Sequence, residues 1–328
     1  MTIVKTCGKL YWAGEYAILE PGQLALIKAI PIYMTAEIKA SNNYRLYSDM
    51  FSYSVDLRPD SSYTLIQETV ALVEEYLTAQ GVELQPFSLD VRGKMEREGK
   101  KFGLGSSGSV VVLVIKAMLA FYERLADREL LFKLASAVLL KRGDNGSMGD
   151  IACIVSEDLV LYQSFDREKV AQWLEKEDLQ AVLARDWGFS IRSVEPVLTF
   201  DFLVGWTKEV AVSSHMVKQI KDNMNPSFLQ ASKETVANLV KALEVGQEET
   251  IIDLLEQASQ LLEGLSSDIY TPLLRQLKNA SKDLKAVAKS SGAGGGDCGI
   301  ALSFDRDSTT LLKKRWADLG IELLYQER

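Results

Sequence analysis

Residues 100–114 read KKFGLGSSGSVVVLV, three glycines and three serines opening directly into an apolar run. From Ser109 to Leu125 there is no glycine or proline. That run is too long for an ordinary strand, so its length makes it a buried helix. A Gly/Ser-rich loop entering a long helix presents free backbone N–H groups and the positive end of the helix dipole to an anion. Ser106, Ser107 and Ser109 add hydroxyls able to bind phosphate oxygens or Mg²⁺, and Lys100 and Lys101 stand just upstream. The stretch reads as a phosphate-binding helix start.

Gly103, Gly105 and Gly108 satisfy G-x-G-x-x-G, and with Val110 the longer G-x-G-x-x-G-x-V. A dinucleotide site needs the loop directly after a strand and an acidic residue ending the next one. Here the charged excursion KMEREGKKF intervenes, and Asp127 and Glu129 fall in helical sequence. A protein kinase needs H-R-D and D-F-G, and the chain has His-Met and Asp-Phe-Leu instead. A Walker loop needs Lys then Ser/Thr after its second glycine, where Ser109-Val110 stands. All three nucleotide patterns fail.

The chain has 328 residues, 47% of them hydrophobic and 25% charged, enough for one large or two ordinary domains. A net charge of −8 with no basic stripe argues against nucleic acid, whose binding rests on phosphate neutralisation. No apolar run reaches the length of a membrane span, and MTIVKTCGKL lacks the blocks of a signal peptide. Cys7, Cys153 and Cys298 lie far apart in no metal spacing, which favours a reduced, cytoplasmic setting. His215 is the single histidine and no nucleophile elbow accompanies it, so hydrolase chemistry has little support.

The first 60 residues read as strands: IVKTCGKLYWA, LALIKAIPIYMTAEI and YRLYSDM. Ile66, Val70, Val73 and Leu77 give helical spacing over 64–80, with Thr64 and Gln67 as a capping box and Gly81 as a stop. Strand FSLDVRG, the long helix, a helix over Asp127–Leu140, the loop RGDNGSMGD and strands IACIV and DLVLYQSF follow. After residue 195 come strand TFDFLVGW, helical patterns at 227–245, 248–263 and 268–289, a glycine cluster, strand GIALSF, a helix and strand IELLYQ. Leu239, Leu243, Ile252, Leu255 and Leu262 fit one face of an intramolecular core. The composition shift divides an α+β N-terminal domain, 1–195, from a helix-rich α+β C-terminal domain, 196–328.

Two further segments complete a pattern. In CGKLYWAGEYAIL, Lys9 stands in an otherwise apolar stretch, either snorkelling from a strand edge or held inward for an anion. In SSGAGGGDCGIALSF, repeated glycine implies close backbone approach or positive φ. GKLYWAGEYAIL, GLGSSGSV and SGAGGGDCGIAL, in that order from residue 7 to 302, resemble the three motifs of the GHMP kinase superfamily. That superfamily includes galactokinase, homoserine kinase, mevalonate kinase and phosphomevalonate kinase. The second motif here lacks the proline usual upstream, and Gly108 stands where alanine is common. The resemblance implies a ribosomal-protein-S5-domain-2-like N-terminal domain and a ferredoxin-like, helix-rich C-terminal domain, with the active site in the cleft between them.

VGWTKEVAVSSH (204–215) and KLYWAGEYAILEPG resemble most the bacterial phosphomevalonate kinase branch. That likeness implies ATP as co-substrate, Mg²⁺, and mevalonate 5-phosphate as phosphate acceptor. By family position Lys9 serves the transferring phosphoryl group, and Asp150, in GSMGD, orients Lys9 or the acceptor. Gly103, Leu104, Gly105, Ser106, Ser107, Gly108 and Ser109 would hold the ATP phosphates, Ser107 also the magnesium. Lys101, Ser147, Ser213 and His215 are candidates for the substrate phosphate, Arg92 for its carboxylate, and Ala293 and Gly294 complete the substrate set. Leu139 occupies the place of the magnesium-binding glutamate of mevalonate kinases, and the metal's carboxylate stays unassigned. A hydroxyl-acceptor kinase such as mevalonate kinase, a decarboxylating relative and a non-catalytic ligand sensor stay open, as do monomer and homodimer.

Overall fold

The computed structural model describes residues 1–210, 220 and 223–328. Strands β1 (Thr2–Ala13) and β2 (Leu24–Ala40) form a long antiparallel pair. The register shifts between Thr6 and Gly8, opposite the stretch that holds Pro31. Proline within a strand is tolerated at such a bulge, because no ladder bond has to come from its nitrogen. The other edge of β2 carries two partners, and Pro31 falls in the gap between them. Strand β5 (Phe87–Arg92) pairs with Thr35–Ala40, and β8 (Leu159–Gln163) with Leu24–Lys28. Strands β3 (Arg45–Ser48), β4 (Ser54–Val55) and β9 (Ser190–Ser193) complete a seven-stranded sheet. The charged excursion after Gly93 holds a small ribbon, β6 (Glu96–Arg97) with β7 (Lys100–Lys101).

Helices α1 (Thr64–Ala79), α2 (Ser106–Phe121), α3 (Arg128–Lys141) and α4 (Gly149–Ser156) pack around the sheet, with α2 at their centre against β1 and β2. Val111 to Ile115 are all fully buried, which is why that helix carries no polar face. Helices α5 (Arg167–Lys176) and α6 (Leu179–Ala184) pack against α3. The second sheet is antiparallel throughout, in the order β11 (Ala286–Ser290), β12 (Cys298–Ser303), β10 (Asp201–Trp206), β13 (Glu322–Glu327). With helices α9 (Pro272–Asn279) and α10 (Arg306–Asp318) it is ferredoxin-like. A hairpin of α7 (Pro226–Val245) and α8 (Glu248–Leu265) packs on β2 through α7 and on β11 through α8. Alternation along β10 sends Phe202, Val204 and Trp206 into the N-terminal core and Leu203 into a second core with Leu277 and Trp316.

Leu239, Leu243, Leu255 and Leu262 are buried and Ile252 is half-buried, so that face is intramolecular as expected. Three local expectations are corrected. IACIV lies in helix α4, not a strand, because an apolar run of five residues is buried equally well in either form and here Met148 and Gly149 start a helix. The helix expected over 268–289 spans only Pro272–Asn279, and Ala286–Ser290 is a strand. Thr64 and Gln67 form no capping box: Gln67 instead bonds the backbone of Asp56, Arg58 and Asp60, holding the preceding loop. Among the described residues no helix is long and apolar enough to cross a membrane.

Candidate active site

The phosphate-type loop is built as its sequence requires. Gly103 and Gly105 have φ of 76° and 77°, and α2 begins at Ser106. A Cβ at Gly105 would stand 2.8 Å from Lys9 Cε, and one at Gly108 would stand 2.8 Å from Asp150 Oδ2. Glycine at both places therefore lets Lys9 of β1 and Asp150 of α4 close on the start of α2. The loop also rests on β1 itself: Lys9 N–H donates to Leu104 O at 3.0 Å, and a Cβ at Gly8 would meet Leu104 Cβ at 2.9 Å.

Lys9 is held inward, only 8% exposed. Among the described residues its ammonium has no hydrogen bond or ion pair, and the Tyr11 ring lies 5.1 Å away. Asp150, in the first turn of α4, accepts from Ile151 N–H at 2.9 Å. Burial raises its carboxyl above the ordinary range, and the Lys9 charge pulls it partly back. A cation with no hydrogen bond or ion pair among the described residues and a carboxylate raised by burial thus lie side by side at the start of α2.

Ser147 is buried beside them. Its hydroxyl accepts from Gly149 N–H at 3.2 Å and lies 3.0 Å from Tyr11 Oη, and Tyr162 donates to its carbonyl at 2.9 Å. The loop before it is fastened by Arg167, whose guanidinium donates to the carbonyls of Asn145, Gly146 and Leu19. The second glycine cluster meets β1 from the other sheet. Ser291 Oγ donates to Tyr11 O at 2.8 Å, Tyr16 donates to Ala293 O, and Lys289 pairs with Glu15 at 2.5 Å. Asp297 follows with φ of 57°, and a Cβ at Gly103 would lie 2.5 Å from its carboxylate. Positive φ at Gly294, with Ile269 O 2.4 Å from a would-be Cβ, explains the glycine there.

The structure thus gathers Lys9, Asp150, Ser147 and Gly103 to Gly108 around one stretch of β1, ties Ala293 to Tyr16 just beyond it and packs Gly294 on Ile269. Ser109 departs from expectation. It is fully buried, its hydroxyl donates to Cys7 O at 2.7 Å and its N–H to Gly105 O, so it locks helix to strand and offers a phosphate nothing. Lys101 is exposed on β7, two residues before Gly103. Arg92 lies at the end of β5, beside Asp90 and over the Tyr47 ring, with no contact to Lys9 or Asp150. Lys208 pairs with Glu322. Ser213 and His215 lie outside the described residues. Sequence reasoning missed Tyr11, Arg167 and the Glu15–Lys289 pair. Tyr11 reads as one more strand aromatic, and nothing local to Arg167 or Lys289 announces partners so distant in sequence.

Ser107 is exposed in the first turn of α2, and its hydroxyl has no hydrogen-bond partner among the described residues. Among those residues no three His, Cys, Asp or Glu side chains cluster as metal ligands, and Leu139 is buried. Mg²⁺ keeps several waters and is usually bound through one or two carboxylates together with substrate phosphates.

The N-terminal domain of the GHMP kinases matches residues 64–157 and their C-terminal domain residues 239–322. The phosphomevalonate kinase of Streptomyces sp. (strain CL190) is 29% identical over 98% of this chain and 95% of its own. The structure of Streptococcus pneumoniae phosphomevalonate kinase in complex with phosphomevalonate and AMPPNP is 74% identical, covers 100% of both chains and superposes with a TM-score of 0.99. A mevalonate kinase structure, 19% identical with a TM-score of 0.75 over 100% of this chain and 99% of its own, shares the fold.

Proposed function

The chain belongs to the GHMP kinase family, and from that premise we propose that it transfers the γ-phosphoryl group of ATP to the phosphate of mevalonate 5-phosphate, giving the diphosphate and ADP. One observation carries the reading: the 74% identical relative spans the whole chain and holds phosphomevalonate and an ATP analogue. A glycine loop opening helix α2, with a buried lysine beside it that has no ion pair among the described residues, supports the reading. The chain's three cysteines are free and buried, in keeping with a reducing cytoplasm. We place the domain boundary at 195/196, ahead of β10.

The acceptor's chemistry sets the roles. A phosphate monoester has its second pKa near about 6, so at neutral pH its attacking oxygen is already mostly deprotonated. The difficulty is repulsion between two anions, and in phosphoryl transfer positioning and charge stabilisation do most of the catalysis. The Lys9 ammonium stands where both phosphates meet, the α2 N–H groups cradle the ATP phosphates, and Asp150 orients Lys9 or the acceptor. Ser147, with Ala293 and Gly294, holds the acceptor phosphate, and Lys101 closes on it from β7. Ser107 would hold Mg²⁺, which when bound neutralises charge on the triphosphate.

The test is ADP release with Mg-ATP against phosphomevalonate, mevalonate and mevalonate diphosphate, repeated for three variants. Turnover with phosphomevalonate alone is expected, with Lys9→Met and Lys101→Met more damaging than Asp150→Asn. A base-dependent hydroxyl kinase would lose about 10²–10⁴ at Asp150→Asn. That order of losses, or turnover with mevalonate, would sink the phosphate-acceptor reading.

A further inference from the structure

The hydrogen bonds around Ser147 have a direction. Its hydroxyl oxygen carries two lone pairs and one proton. Gly149 N–H already uses one lone pair at 3.2 Å, and Tyr11 Oη lies 3.0 Å away. Two arrangements satisfy that second contact. If Ser147 donates to Tyr11, the Tyr11 proton is stranded, because among the described residues Ser147 is the hydroxyl's one hydrogen-bond partner. Tyr11 is 8% exposed and Ser147 9%, so either arrangement leaves one buried proton unmet by the described residues, and an anion on Ser147 satisfies only the arrangement in which Tyr11 donates. If Tyr11 donates instead, both lone pairs of Ser147 are filled and its single proton is left to point elsewhere.

No described residue takes that proton. Among the described residues the Ser147 hydroxyl bonds only Gly149 and Tyr11, while the Tyr162 hydroxyl bonds the Ser147 carbonyl and Asp150 Oδ1 bonds Ile151 N–H. Burial, with the charge of Asp150 added, raises the Tyr11 phenol above its ordinary range, so it stays protonated at neutral pH. The same ring holds the Lys9 ammonium at 5.1 Å, and its backbone carbonyl accepts from Ser291. Gly149 is part of the device, since a Cβ there would sit 2.5 Å from Tyr11 Oη.

We infer that Tyr11 is a positioning residue for the acceptor phosphate: by donating to Ser147 it turns the serine O–H outward as a donor to that anion, beside Lys9. The inference rests on the proposed function and assigns a direction to one contact within it. Tyr11 does not touch the reacting atoms and acts through Ser147.

The experiment is a double-variant cycle on the full chain, Tyr11→Phe, Ser147→Ala and both together. It is read by KM and kcat for phosphomevalonate and by AMPPNP affinity in calorimetry. Losing a hydrogen bond to a charged group should raise KM about 10- to 100-fold in S147A. Y11F should raise it about 3- to 10-fold with kcat less affected, the size of a neutral bond lost. The double variant should be no worse than S147A, and AMPPNP affinity should hold within about twofold, as expected where no nucleotide bond is removed. Losses that multiply, or Y11F without effect beside a damaged S147A, would overturn the inference, and so would equal losses for nucleotide and acceptor.

Ser147→Cys offers a second variant that leaves the phenol in place, because a thiol is a weak donor. It should match S147A, and wild-type affinity in S147C would also overturn the inference. If the wild type releases no ADP with phosphomevalonate, the proposed function falls. The Tyr11 inference is then decided by titrating the same series with inorganic phosphate, weakened binding in Y11F and S147A alike supporting it and unchanged binding rejecting it.

Discussion

Lys9 and Lys289 are both buried lysines on strands that meet through Ser291 and Tyr11, yet they have opposite surroundings. Lys289, 1% exposed, donates to Glu15 at 2.5 Å and to Ser290 O at 2.6 Å. Lys9, 8% exposed, has neither an ion pair nor a hydrogen bond from its ammonium among the described residues. Burying an ammonium is costly unless its donors are satisfied. Lys289 is satisfied by the protein and can only hold it together. Lys9 has the Tyr11 ring and the Asp150 charge nearby, and among the described residues its donors are free for the anion we propose. The difference separates a structural cation from the one we propose meets the phosphates.

The largest effect should come from the satisfied lysine. Lys289→Met leaves Glu15 buried and uncompensated, and breaking such a pair costs about 3–5 kcal/mol. Urea denaturation should show that loss, and adding Glu15→Leu should recover most of it. If K289M unfolds at the wild-type midpoint, the contrast with Lys9 collapses. Lys9→Met should do the reverse: turnover falls about 10²–10³-fold, as when a preorganised donor to developing charge is removed. Its denaturation midpoint should stay or rise, and a marked drop would mean that Lys9 is structural too.

A smaller effect sharpens the geometry. Gly105→Ala puts a Cβ at φ of 77° and 2.8 Å from Lys9 Cε. The left-handed backbone costs about 1–2 kcal/mol with any Cβ. Turnover should therefore drop beyond what folding explains, measured as kcat on protein shown folded by circular dichroism. The smallest effect is in pH. Asp150 titrates above its ordinary value of 3.8 in the folded chain because it is buried. Its contribution to stability is therefore fully present below about 3.9, the unfolded value, and is lost as pH rises through the folded one. Asp150→Asn should match the wild type in urea stability at low pH and exceed it near neutrality. Because Lys9 opposes the shift, the gain should widen in a Lys9→Met background.

Legibility followed sequence distance. Helix α2 is legible in the length of its run without glycine or proline, strands β1, β2, β5 and β10 in local composition and turn residues, and the glycine loop in residues 103–108 that touch in sequence. IACIV and 268–289 were misread because burial erases periodicity in the first, and because strand Ala286–Ser290 is chosen by its partner β12 in the second. Ser109 looked like its neighbours Ser106 and Ser107, and only its place one turn further on, facing Cys7, sets its hydroxyl to a structural bond.

What the sequence determines alone is the inventory: an anion-binding helix start, an isolated lysine in an apolar strand, a loop ending in Asp150 and a glycine cluster before β12. Each is fixed by backbone propensity and side-chain chemistry within a few residues, which depend on nothing distant. What the tertiary structure decides is pairing: Glu15 with Lys289 across 274 residues, and Tyr11 with Ser147 across 136. A buried polar group takes whichever partner packing brings to it. That is why two buried lysines stand in different surroundings, Lys289 satisfied and Lys9 without an ion pair among the described residues.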